Sequence, residues 1–279
     1  MIFSLRLFSI PGMILLVSLG AAAQAPTSLS TRPGWKLVWS DEFNAADGTP
    51  VDSTKWVSET GGNGWGNDEL EYYTTRPENA IQKGGNLVIQ AIEEKYTGPD
   101  GVTRNYTSAR LKTLGKFSRK YGRFEARIKI PRGQGIWPAF WMLGDDINKR
   151  GWPKSGEIDI MENIGKEPSL VHGTIHGPGY SGDKGIGSPF GLPDDQRFAD
   201  DFHIYAVEWD KKAIRFYVDD HLYATRTPAE LPKGAKWVYG HNFFVLLNVA
   251  VGGGWPGNPD SSSVFPQTML VDYVRVYKR

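Results

Sequence analysis

Gly156-Glu157-Ile158-Asp159-Ile160-Met161-Glu162-Asn163 puts three carboxylates within six residues of a stretch that otherwise reads as a β-strand. Alternate side chains on a pleated strand share a face, so Glu157 and Asp159 point one way and Ile158 and Ile160 the other. Strict alternation would send Glu162 to the apolar face, where an unpaired carboxylate is very costly. One extra residue, absorbed as a β-bulge around Ile160-Met161, returns Glu162 to the acidic face, and bulges are common beside active sites. The pattern predicts three carboxylates in a row, with Asp159 between two glutamates.

Acidic residues are depleted in strands, and like charges on one sheet face repel. A solvated strand face that is acidic by chance is therefore the weaker reading. The stronger one is a catalytic pair for glycoside hydrolysis. Four pleated steps separate the two Cα atoms by ~13 Å at about 3.3 Å per residue. Two glutamate side chains leaning together can close most of that to about 5 Å, the spacing of a retaining mechanism, whereas an inverting enzyme needs a wider gap for its water.

The chain that must position these groups has 279 residues, enough for one large all-β domain. Arg6, the apolar run from Ile10 to Leu19 and the small residues Gly20 to Ala23 read as a secretory signal over 1–23. The run is too short, and too broken by Pro11 and Gly12, for a membrane anchor. Residues 24–34 read as a short exposed leader and 35–279 as a single catalytic domain. The expected location is secreted or periplasmic. There is no cysteine, so no disulfide despite export, and the core must hold the fold, with a metal as a candidate aid. The formal charge of +1 gives no electrostatic case for nucleic acid or a membrane surface. A neutral substrate fits better, and a monomer is the default for such a chain.

Strand follows strand from Trp35 onward. Gly122 to Ile130 alternates, with Phe124, Ala126, Ile128 and Ile130 on one face and Arg123, Glu125, Arg127 and Lys129 on the other. Asp219-Asp220 reads as a hairpin turn, and the nearly all-apolar Phe243 to Val251 as a central buried strand. No segment longer than a turn or two has helical period. An antiparallel β-sandwich with a concave substrate groove fits best. Trp137 and Trp141, four apart on one strand, can share a groove, and Trp255 lies in a loop too Gly-rich for core. His172 and His176 raise the alternative of zinc on a helix, but Gly173, Thr174 and Ile175 argue for a strand and no third ligand is placed nearby.

Glu-Ile-Asp-Ile-Met-Glu resembles the signature of glycoside hydrolase family 16. Other segments are similar to its laminarinase branch in the same order, among them Trp39-Ser40-Asp41-Glu42-Phe43, Asn67-Asp68-Glu69-Leu70-Glu71-Tyr72-Tyr73, Gly135-Ile136-Trp137-Pro138-Ala139-Phe140-Trp141 and His172-Gly173-Thr174-Ile175-His176-Gly177. The inserted Met161 also marks that branch. The resemblance implies a jelly-roll sandwich of the concanavalin A-like kind and hydrolysis of β-1,3-linked glucan. It implies Glu157 as nucleophile, Glu162 as acid/base and Asp159 as their helper. It makes Asn67, Arg110 and His176 groove residues and implies a structural Ca2+ held at Glu42, Gly85 and Asp272, with no cofactor for catalysis. Asp68 and Glu71 depart from the commoner Asn-Asn-Glu-Leu-Gln, and extra acid near the groove bears on sugar specificity. A mixed-linkage β-1,3-1,4-glucanase, a galactan hydrolase, a transglycosylase and a non-catalytic glucan binder are the alternatives. The last is disfavoured because both glutamates are kept.

Overall fold

The acidic strand sits third in a seven-stranded sheet. The strands run in the order Ile186–Gly191, Leu170–His176, Glu157–Glu162, Ile136–Gly144, Phe243–Val251, Arg110–Lys112 and Val57–Glu59, and each neighbouring pair is antiparallel. The structure is a computed structural model and describes residues 32–193 and 196–279. The signal segment expected over 1–23, and the leader up to residue 31, lie outside the described residues.

A second, ten-stranded sheet packs on the first. Its main path runs His221–Arg226, Ile214–Val218, His203–Trp209, Gly122–Lys129, Gln267–Lys278, Asn86–Thr97, Thr103–Ser108 and Glu71–Tyr73. Lys36–Asp41 adds to Gln267–Lys278, and Ala80–Lys83 adds to Asn86–Thr97. Among the described residues the only α-helix is the four-residue turn Ile147–Arg150, so the expected antiparallel β-sandwich is what forms. Asp219 and Asp220 take φ of 48° and 64°, the doubly left-handed turn that closes a two-residue hairpin.

Alternation explains the core. Phe243, Val245, Leu247, Val249 and Val251, with Phe140, Met142 and Ile158 of the same sheet, share the core with Phe124 and Ile128 of the opposing sheet. The strand Phe243–Val251 is apolar apart from Asn248 because its other face is also covered at one end, where Phe244 and Leu246 cluster with Leu143.

The charged face of Gly122–Lys129 is not a solvated one over its first half. Arg123 and Glu125 are each 1% exposed. Arg123 donates to Glu125 Oε2 at 2.7 Å and to Asp220 Oδ1 at 2.9 Å, with its guanidinium over the Tyr217 ring. Arg275 likewise lies over Tyr273 and grips both carboxylate oxygens of Glu42. Long side chains lying flat on a sheet bury their stems, and such buried charges persist because each is paired.

Candidate active site

Register brings the carboxylates together. Against Ile136–Gly144, Glu157 pairs with Leu143 and Glu162 with Ala139; against Leu170–His176 they pair with His176 and His172. Five steps on the acidic strand therefore span four on either neighbour, and the register shift falls between Asp159 and Glu162. The bulge expected from the sequence is present. Ile158, Ile160 and Met161 enter the core, Glu157 and Glu162 stay half-buried on the groove face, and Asp159, only 2% exposed, lies between them.

Each glutamate receives a tryptophan N–H. Trp137 Nε1 donates to Glu162 Oε1 at 3.1 Å and Trp152 Nε1 to Glu157 Oε2 at 2.9 Å. His176 Nε2 stands 3.2 Å from Asp159 Oδ2 and 3.7 Å from Glu157 Oε1. Among the described residues, Glu157, Asp159 and His176 are the one group of three side chains close enough to share a metal ion. His172 is not part of it: its ring meets Trp255 edge-on.

Burial, joined by the charge of Asp159, pushes both glutamates above the ordinary carboxyl range, and burial does the same to Asp159. Three crowded carboxyls cannot all ionise in a site of low polarity. Glu157 faces one like charge and is eased by His176, the Trp152 N–H and Arg110. Glu162 is likewise eased by His176 and the Trp137 N–H but is opposed by both Asp159 and Glu157. Of the two glutamates, Glu157 is thus the one that ionises more readily, and Glu162 the one that holds its proton more firmly.

The rest of the groove face is aromatic rings held by polar ties. Trp141 Nε1 donates to Asn248 Oδ1 at 2.7 Å, Asn248 Nδ2 donates to the Tyr73 hydroxyl at 3.1 Å, and that hydroxyl donates to Glu69 Oε2 at 3.0 Å. Arg110 lies between the rings of Trp65 and Trp141, 4.7 and 4.8 Å from their centroids, and its Nε donates to Glu59 Oε2 at 2.6 Å. Asn67, at the rim, donates to Glu69 Oε1 at 3.0 Å, and its carbonyl accepts from Gly254 N–H in the glycine loop. Trp255, 39% exposed, stands edge-on to Trp137 at 5.5 Å.

Asn67, Arg110, Trp137, Trp141, His176 and Trp255 therefore all collect around the carboxylates. Trp152, Trp65 and Asn248 join them without having been singled out in the sequence. Trp152 had the signal that revealed Trp255, an aromatic in a polar, Gly- and Pro-bearing loop. Asn248 had another, a lone amide inside an apolar strand. Glu42, Gly85 and Asp272 lie elsewhere, on or beside the strand Gln267–Lys278 of the ten-stranded sheet. Asp41 pairs with Val274 and Leu87 with Val271, and a Cβ on Gly85 would lie 3.7 Å from Asn44 Oδ1. Glu42's carboxylate is taken by Arg275, and Asp272 Oδ2 accepts from Arg127 at 2.9 Å.

A β-sandwich with paired glutamates set among tryptophans on one sheet face is the architecture of a carbohydrate-cleaving enzyme. The profile of glycosyl hydrolases family 16 matches residues 67–275, and the chain belongs to that family. A beta-glucanase of Rhodothermus marinus is 44% identical over 276 residues, covering 95% of this chain and 93% of that protein. Glucan endo-1,3-beta-glucosidase A1 of Niallia circulans is 40% identical over 88% of this chain, which spans 38% of that longer protein. The crystal structure of the laminarinase catalytic domain from Thermotoga maritima superposes with a TM-score of 0.83 at 50% identity, covering 88% of this chain and 98% of that one.

Proposed function

We propose that the protein is an exported, retaining endo-β-1,3-glucanase acting on laminarin-type glucans. The observation that carries this reading is the bulged strand, which keeps Glu157 and Glu162 on one face with Asp159 and His176 between them. Similarity to laminarinases and to a glucan endo-1,3-beta-glucosidase supports the β-1,3 linkage.

In the first step the Glu157 carboxylate attacks the anomeric carbon. The glycosidic bond breaks as Glu162 gives its proton to the leaving oxygen, leaving a glycosyl ester on Glu157. In the second step Glu162, now a carboxylate, takes a proton from water as that water attacks the same carbon and frees Glu157. Asp159 and His176 hold the nucleophile in place. The rings of Trp137, Trp141 and Trp255 suit the apolar faces of glucose units, while Asn67 and Arg110 offer donors to hydroxyls. Export rests on the signal-like sequence of residues 1–23.

Reducing-sugar release from laminarin, lichenan and agarose, compared side by side, tests the substrate. Laminarin should be cleaved fastest, and tight laminarin binding with no release from any of the three would sink the enzymatic reading. The Trp152 N–H favours the ionised form of Glu157. Trp152→Phe should therefore raise the pH at which Glu157 ionises and move the acidic limb of kcat/KM upward; an unmoved limb would show that the bond does not tune the nucleophile.

A structural Ca2+ would be held by the carbonyls of Glu42 and Gly85 and the carboxylate of Asp272, all hard oxygen donors. Adding Ca2+ to chelated protein should then raise Tm by roughly 5 °C or more. Equal melting with Ca2+ and with chelator would remove the site.

A further inference from the structure

Two carboxylates with no part in the chemistry face each other beneath the groove. Glu69 is 3% exposed and Glu71 fully buried, and with Tyr73 they alternate onto one side of the segment. Glu71 Oε2 accepts the Val251 N–H at 2.6 Å, which ties the segment to the end of the central groove strand. Its other oxygen, Oε1, has no donor among the described residues, and Glu69 is the carboxylate whose charge and side chain bear on it. Ionised carboxylates only accept, so two of them can bond only when one carries a proton.

The surroundings decide which one carries it. Glu69 already accepts from Asn67 Nδ2 and from the Tyr73 hydroxyl, so its oxygens are taken up as acceptors. Burial and the facing Glu69 push Glu71 well above the ordinary glutamate range. The other titratable groups nearby are Tyr73, Arg110, whose charge acts on Tyr73 from the strand Arg110–Lys112, and Tyr106, the register partner of Glu71, whose ring packs on Phe265. Among the described residues neither Glu69 nor Glu71 has an ion-pair partner.

We propose that Glu71 is a positioning residue, holding one proton that it donates to Glu69, and that this bond fixes Asn67 and the Tyr73–Asn248–Trp141 chain against the sugar. The proposal deepens the glucanase reading and rests on it for the ligand. A glutamine at this position would donate an N–H to Glu69 at every pH. Glu71 donates only while protonated, so the acid makes this side of the groove sensitive to alkali. When Glu71 ionises, two buried anions repel, and Glu69 can no longer hold both of its donors in place.

The test uses wild type, Glu71→Gln and Glu71→Met, with kcat and KM on laminarin measured against pH and Tm measured over the same range. Wild-type KM should rise roughly tenfold on the alkaline side, the scale of one lost buried hydrogen-bond partner. Loss of the acid/base proton lowers kcat instead, so the two effects separate. Glu71→Gln should abolish the rise in KM, and Glu71→Met should show the raised KM at every pH. A rise in Glu71→Gln that follows wild type, or a Glu71→Met with wild-type KM, would overturn the proposal.

The stability arm needs no substrate. A group whose folded pKa lies above its unfolded value costs stability as pH rises from the ordinary glutamate range toward the raised value. The Tm of Glu71→Gln minus that of wild type should therefore grow with pH across that window, since the catalytic carboxyls are common to both proteins. A flat difference, or a Glu71→Gln chain that fails to fold, would overturn the proposal, because the amide reproduces the donor and acceptor of the neutral acid. If wild type fails to cleave laminarin, the substrate reading fails while the Tm arm still decides the shared proton.

Discussion

Glu157→Gln is expected to lower kcat on laminarin by on the order of 10^4- to 10^6-fold, the scale seen when a covalent nucleophile is removed. The amide keeps the shape and can still meet the Trp152 N–H through its oxygen, but it cannot form the glycosyl ester. The same substitution takes one charge from three crowded carboxyls whose burial and mutual repulsion already oppose ionisation. Its Tm should thus be equal to or above that of wild type at neutral pH, a gain of stability bought by loss of function. Glu157→Ala should recover turnover with azide, which enters the vacated space, attacks the anomeric carbon and leaves an inverted glycosyl azide. Residual hydrolysis within about tenfold of wild type would exclude Glu157 as the nucleophile, since loss of any general acid–base contribution alone costs about 10^2-fold or more.

Glu162→Gln carries the second large effect, a loss of roughly 10^2- to 10^4-fold on laminarin. The loss should depend on the leaving group in a way that no structural damage would mimic. A glucan leaving as an alkoxide needs the proton, whereas an aryl glucoside that departs as a stable phenolate does not. The aryl substrate should therefore react at a rate near wild type in the first step and stall at the ester, for want of a base to activate water. The alkaline limb of kcat, set in wild type by loss of the Glu162 proton, should also vanish. Equal losses on both substrates would contradict the assignment.

Much of this site was legible because a strand's period of two leaves little freedom. Glu162 had to leave the apolar face, and one inserted residue was the only local way to do so; the shifts against both neighbours are where that residue falls. Trp137 and Trp141 followed from the same period. Trp152 was less legible, because a loop has no period and its ring reaches Glu157 through the path of the turn. The burial of Arg123 and Glu125 escaped the pattern for another reason: alternation tells which face a residue takes but not whether that face meets water. Glu71 shows the same limit. The sequence marked it as extra acid near the groove, but the structure turns it inward to Val251 and Glu69, while Asp68 alone stays exposed.

The most direct test of the paired-glutamate account is the anomeric configuration of the first product, followed by proton NMR while the enzyme cleaves laminarin oligosaccharides. Two displacements at one carbon predict that the β-anomer appears first and then mutarotates toward equilibrium. An initial α-anomer would mean that water attacks directly, and would contradict Glu157 as the group that holds the sugar between the two steps.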